Sequence, residues 1–145
     1  KGLQIDVWNT KVPKTLFSSL KTLNAIPFVQ AAIHKEEMGL GEMLILNEEN
    51  HIVEATSSNV FVVMREEIVT PSLNDGCLEG VMRRVAISKL CTLGYTVKEK
   101  SITVDVLEEA EEVFLTNAIQ GIQWVGAFGP KRYFNKVSKK LLELI

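Results

Sequence analysis

Four short apolar runs between Met43 and Thr70 constrain this chain more than any other feature. Met43–Leu46 and Ile52–Ala55 flank the turn-like Asn47-Glu48-Glu49-Asn50, and Asn59–Met64 and Ile68–Thr70 flank the charged Arg65-Glu66-Glu67. Runs this short cannot hold a stable helix, so they read as strands joined by tight turns.

Helical text brackets this block. Ile26, Val29, Ala32 and Ile33 recur at helical spacing within Asn24–Met38, where Pro27 fits only the first turn and Gly39 and Gly41 end the helix. Val81–Leu93 repeats the pattern with Val81, Val85 and Leu90 on or near one face, and Gly94 stands as its terminator. Alternation predicts a strand over residues 3–8, and further strands are expected over Tyr95–Ile102, Glu112–Leu115 and Ile122–Phe128. A short acidic helix is expected over Val104–Ala110, a loop over Pro71–Gly80 and a closing helix over Val137–Ile145. Strands interspersed with helices predict one mixed α/β unit, with a barrel-like sheet as its plausible form.

At 145 residues the chain is long enough for one domain with a full core. A net charge of −2 gives no basic patch, so nucleic acid is not expected as a partner. Nor is a membrane, because no apolar run approaches the roughly 20 residues of a spanning helix. Cys77 and Cys91 lack metal spacing and are too few for a disulfide framework, so a reduced, cytoplasmic setting without a signal peptide is expected. Lys1 is not an initiator methionine and runs straight into strand-like text, so the chain is expected to be the interior of a longer protein.

Lys21, Glu54, Gly80-Val81-Met82 and Asn117-Ala118 carry the chemistry. Lys21 precedes a helix, and Leu20 and Leu23 offer the partial desolvation that makes an amine nucleophilic; the bland reading is a surface lysine. Glu54 lies in apolar strand text, where a carboxylate can hold a protonated pyridine nitrogen; alternation alone would make it an outward residue. Gly80-Val81-Met82 opens a helix whose free amides suit phosphate, though a glycine N-cap explains it as well. Asn117 and Ala118 follow a strand and could present two more amides, or merely end it. An imine-forming amine, a ring-nitrogen carboxylate and phosphate-binding amides are together what pyridoxal 5'-phosphate needs.

The remaining polar residues read plainly. His34 and His51 are expected to be surface or capping residues, neither metal ligands nor bases, and no metal site is expected. Ser57 and Ser58 lack a nucleophile-elbow context. Cys77 is expected to pack, and the acidic run Glu108–Glu112, interrupted by Ala110, to be a solvated helix face.

The segments Leu20-Lys21-Thr22-Leu23-Asn24, Glu54-Ala55-Thr56-Ser57-Ser58-Asn59-Val60-Phe61, Gly80-Val81-Met82-Arg83 and Glu112-Val113-Phe114-Leu115-Thr116-Asn117-Ala118 closely resemble class IV aminotransferases, the fold type IV pyridoxal phosphate enzymes. That family includes aminodeoxychorismate lyase, D-amino acid aminotransferase and branched-chain aminotransferase. The resemblance covers nearly the whole chain and implies the barrel-like large domain of that fold, without the family's smaller N-terminal domain. It implies that Lys21 is the Schiff-base lysine, that Glu54 partners the pyridine nitrogen, and that Val81, Met82, Asn117 and Ala118 give amides to the phosphate. Asn59 and Arg83 match positions that support the site. Lys-x-Leu-Asn at 21–24 and Thr-Asn-Ala at 116–118 resemble the lyase branch. The implied substrate is thus aminodeoxychorismate or an amino acid, and the implied assembly a homodimer. A different class stays open: a non-catalytic domain whose exposed face pairs with another chain.

Overall fold

The computed structural model describes residues 1–23, 25–65 and 67–145. Along the chain come β1 (Leu3–Val7), α1 (Ile26–Glu37), β2 (Glu42–Leu46), β3 (Ile52–Ala55), β4 (Asn59–Val63), β5 (Ile68–Thr70) and a 3-10 turn, Leu73–Asp75. They are followed by α2 (Val81–Thr92), β6 (Val97–Glu99), α3 (Val106–Glu109), β7 (Glu112–Asn117), β8 (Gly121–Phe128), β9 (Lys131–Arg132) and α4 (Lys136–Leu142).

The strands form one mixed sheet in the order β3-β2-β1-β8-β7-β4-β5-β6, with β9 added to β8. β1 runs parallel to both β2 and β8, whereas the β4–β7 and β7–β8 ladders are antiparallel. The sheet curls so that its two ends meet: the Ile52 amide donates to the Ile102 carbonyl at 2.7 Å, and His51 bridges Thr103. This is the expected mixed α/β, barrel-like architecture. It also explains why the strand expected over Tyr95–Ile102 is regular only at 97–99. Its first part pairs with β5, and its continuation crosses to β3.

α1 buries a different face from the one its spacing suggested, and α2 keeps Leu90 buried as expected but not Val81. In α1, Ile26, Val29 and Ile33 are exposed, while Ala31 and Phe28 pack on Met43, Ile45 and Val53. In α2, Val81 is exposed and the buried row is Arg83, Ala86 and Leu90. A charged residue therefore occupies an inward position that hydrophobic spacing cannot select. Both termini follow the sequence: Pro27 lies in the first turn of α1, and Gly39 and Gly94 take positive φ values of 67° and 87° after α1 and α2. The helix start expected at Asn24, and Glu66 of the turn before β5, lie outside the described residues.

β4 and β7 are buried throughout but for Asn117, which is partly exposed, and Phe61 stacks on Phe114 with centroids 4.9 Å apart beneath α2 and α4. The acidic run divides. Glu108, Glu109 and Glu111 are solvated, but Glu112 is buried at the start of β7. Its two oxygens accept the Val137 and Ser138 amides at 2.8 and 2.7 Å, capping α4 from a neighbouring strand. Among the described residues, no helix is long and apolar enough to cross a membrane.

Candidate active site

One end of the sheet gathers the C-terminal ends of β3 and β7, the start of β4 and the N-terminus of α2. A cavity of about 870 Å³ opens there, and Lys21, Glu54, Asn59, Val81, Met82, Asn117 and Ala118 all line it. These residues are up to 97 positions apart (118 minus 21) and meet only because β4 lies between β7 and β5 and opposite α2.

Glu54 is the electrostatic centre. It is 9% exposed, and burial pushes its carboxyl up from 4.5 to about 7. The Leu78 amide, donating to Glu54 Oε2 at 3.3 Å, and the positive charge of Lys21 both oppose that shift. A proton-sharing carboxyl facing a cavity can ionise fully once a cation is brought to it.

Lys21 lies in an irregular segment held by turns: the Ser18 amide donates to the Thr15 carbonyl, the Leu20 amide to Phe17, and the Glu79 amide to Ser19. This last bond ties the lysine segment to the approach of α2. The desolvation expected from Leu20 and Leu23 is corrected by the structure. Leu20 lines the cavity but is 59% exposed, Leu23 is fully exposed, and Lys21 itself is exposed. Adjacent apolar residues in an irregular segment have no fixed face, so proximity in sequence did not give shelter.

Gly80 is the N-cap of α2, and no side chain caps the helix amides among the described residues. Its φ of −66° is open to any residue, so the glycine is not there for conformational freedom. A β-carbon on it would instead overlap Asn59 Oδ1, whose partner nitrogen donates to the Leu78 carbonyl at 2.8 Å. Asn59 thus fixes the turn leading into α2. Arg83 does not line the cavity; its buried guanidinium donates to the Pro71 carbonyl at 3.0 Å and pairs with Glu99, securing the same turn from behind.

Asn117 departs from its expected position. β7 runs two residues beyond the expected Leu115, so Asn117 is its last residue, opposite Gly121, rather than a residue beyond it. Its side chain builds the turn by accepting the Ile119 and Gln120 amides, and it also donates to Ser58 Oγ at 3.0 Å. Thr116 Oγ1, buried in the wall beside it, has no partner among the described residues.

Glu42 was missed by the sequence reading. This buried carboxylate at the start of β2 accepts the hydroxyls of Thr56 and Ser57 and the Met43 amide at 3.1 Å, shaping the Thr56-Ser57-Ser58 wall of the cavity. Its one signal was a carboxylate directly leading an apolar run. Cys77 packs as expected, and burial pushes its thiol up to about 12.

Residues 3–128 match the amino-transferase class IV family. The chain belongs to that family. Class IV aminotransferases depend on pyridoxal phosphate, and the cavity suits it: an amine, a buried carboxylate and uncapped helix amides face one space. Among class IV relatives, the aminodeoxychorismate lyase of Vibrio harveyi is 32% identical over 123 residues, covering 84% of this chain and 45% of the lyase. A branched-chain aminotransferase from Thermoproteus uzoniensis, solved with norvaline, superposes with a TM-score of 0.90 at 28% identity, over 99% of this chain and 50% of that one. The branched-chain amino acid aminotransferase of Thermobaculum terrenum, solved in its PLP form, gives 0.92 at 22% identity, a likeness of fold, over 99% and 50%. The chain spans about half the length of these relatives.

Proposed function

We propose that residues 1–145 form the cofactor-binding domain of a pyridoxal phosphate enzyme that eliminates pyruvate from aminodeoxychorismate, leaving 4-aminobenzoate. The observation that carries this reading is the convergence of the Lys21 amine, the Glu54 carboxyl and the uncapped amides of α2 on one cavity.

When bound, pyridoxal phosphate supplies an electron sink that acidifies the substrate Cα–H bond. Lys21 Nζ would hold the cofactor and, when free, would take the proton from the substrate Cα as general base. Glu54, steadied by the Leu78 amide, would pair with the cofactor's ring nitrogen and keep a proton there. The Val81 and Met82 amides would hold the phosphate at the positive end of α2, and the Asn117 and Ala118 amides would add to them. Asn59 and Arg83 act through the turn they fix.

Support for the lyase branch comes from the Vibrio harveyi relative and from Thr116-Asn117-Ala118. Likeness to the Thermoproteus aminotransferase favours a second reading, transamination of a branched-chain or D-amino acid through the same residues. We further propose that the exposed apolar set Leu16, Leu20, Leu23, Ile26, Val29 and Ile33 is covered in a homodimer.

The test is borohydride reduction of cofactor-saturated protein, followed by intact mass and peptide mapping. A pyridoxyl phosphate adduct on Lys21 is expected, with pyruvate and 4-aminobenzoate released in equal amounts from aminodeoxychorismate by the full-length protein. Release of a 2-oxo acid from an amino acid instead selects transamination. Absence of any adduct on the full-length, cofactor-saturated protein overturns the enzyme reading in favour of a non-catalytic interaction domain.

A further inference from the structure

In the cavity wall, one polar side chain has been given no role. Thr116 is 1% exposed and lines the cavity, yet its Oγ1 has no hydrogen-bond partner among the described residues. Buried hydroxyls in folded proteins are almost always hydrogen-bonded, because a donor taken out of water without a new acceptor destabilises the fold. An orphan in a cavity wall points to an acceptor carried by the molecule that fills the cavity.

The strand register shows which way this side chain faces. Thr116 stands opposite Asn59 in the β4–β7 ladder, two residues along from the Phe61–Phe114 pair, and residues two apart share a face. Phe61 and Phe114 pack with Ala86 and Leu90 of α2, so Asn59 and Thr116 continue that face toward the start of the helix. Asn59 meets Gly80, the N-cap. α2 has 12 residues, no side-chain cap and no acidic residue in its first turn, and its Val81 and Met82 amides have no acceptor among the described residues. Free donors from a strand and from a helix N-terminus therefore meet on one side of the cavity. Such a set suits an oxyanion.

We propose that Thr116 Oγ1 donates a hydrogen bond to a phosphate oxygen held at the start of α2. The inference rests on the pyridoxal phosphate reading and adds a side-chain donor to a phosphate site otherwise made of backbone. A hydroxyl brings direction rather than charge. It fixes which oxygen turns to the β7 wall, and so how the phosphate end sits relative to Lys21 and Glu54. Backbone amides survive substitution, whereas this donor can be removed.

The experiment titrates full-length, cofactor-free protein with pyridoxal 5'-phosphate and with pyridoxal, which lacks the phosphate, comparing the parent with Thr116→Val and Thr116→Ser. Valine keeps the shape and removes the hydroxyl, and serine keeps the hydroxyl. Thr116→Val should weaken binding of the phosphate ester at least about tenfold and leave pyridoxal unchanged, and Thr116→Ser should restore it. Because Oγ1 has no partner in the protein, cofactor-free Thr116→Val should melt no lower than the parent, whereas loss of a structural hydroxyl would lower the melting temperature. Unchanged affinity, equal losses for both ligands or a lowered melting temperature overturns the proposal. If the parent still yields the borohydride adduct on Lys21, such a failure leaves the cofactor reading intact. If the parent yields no adduct, that reading falls and inorganic phosphate decides: binding lost in Thr116→Val upholds the role of the hydroxyl, and any other result overturns it.

Discussion

Asn59 Oδ1 occupies the space that a β-carbon on Gly80 would need, while Asn59 Nδ2 holds the Leu78 carbonyl at 2.8 Å. One asparagine thus sets both the turn that anchors Glu54 and the N-cap of α2. Gly80→Ala should swing Asn59 away and sacrifice that bond. Urea denaturation should show a loss of about 1–2 kcal/mol, and cofactor titration a disproportionate loss of affinity, about tenfold or more. An alanine variant with unchanged affinity would show that the turn tolerates the shift.

Lys21→Ala removes the only amine assigned to the cofactor. Turnover of the full-length protein and the borohydride-stable adduct should both vanish, while the circular dichroism spectrum is retained because Lys21 is exposed. Retained turnover would sink the assignment.

Glu54 makes stability depend on pH in a definite direction. Its folded carboxyl is raised to about 7 from an unfolded value of 4.5, so the fold favours the protonated form. The associated stabilisation is complete below 4.5 and is lost as pH rises through 7. At about 1.4 kcal/mol per pH unit the gap amounts to about 3 kcal/mol. Cofactor-free protein should therefore show unfolding free energy falling over this window, and Glu54→Gln should flatten the curve.

Glu42→Ala leaves the Thr56 and Ser57 hydroxyls and the Met43 amide without their acceptor. A stability loss of about 2–3 kcal/mol is expected from chemical denaturation. Cofactor affinity should fall as well, since the residues released form the cavity wall.

Glu112→Ala supplies the contrast. It frees the Val137 and Ser138 amides at the start of α4 and should cost about 2 kcal/mol. Glu112 does not line the cavity, so cofactor affinity measured on the folded variant should not change.

Lys21, Glu54, Gly80-Val81-Met82 and Asn117-Ala118 each allowed a bland reading in isolation, and their order along the chain together with the family resemblance singled out residues that the structure brings to one cavity. Glu54 interrupts an apolar strand, Gly80 precedes a helical repeat, and Asn117 closes a hydrophobic run. Glu42, Asn47 and Glu112 were not legible as interior residues. Each is a polar group buried by partners far along the chain: Thr56 and Ser57, Asp75, and Val137 and Ser138. Hydrogen bonding to distant backbone offsets the burial cost, and no periodicity records it.

The order of strands and helices and their glycine terminators were determined by the sequence itself, because they depend on neighbours within a few residues. Tertiary structure decided which face of α1 and α2 turned inward, that Lys21 stayed exposed, and that β3 and the segment beyond β6 met to curl the sheet. Those outcomes depend on what each element packs against. Burial is a property of pairs of surfaces, and a single stretch of sequence carries only one of them.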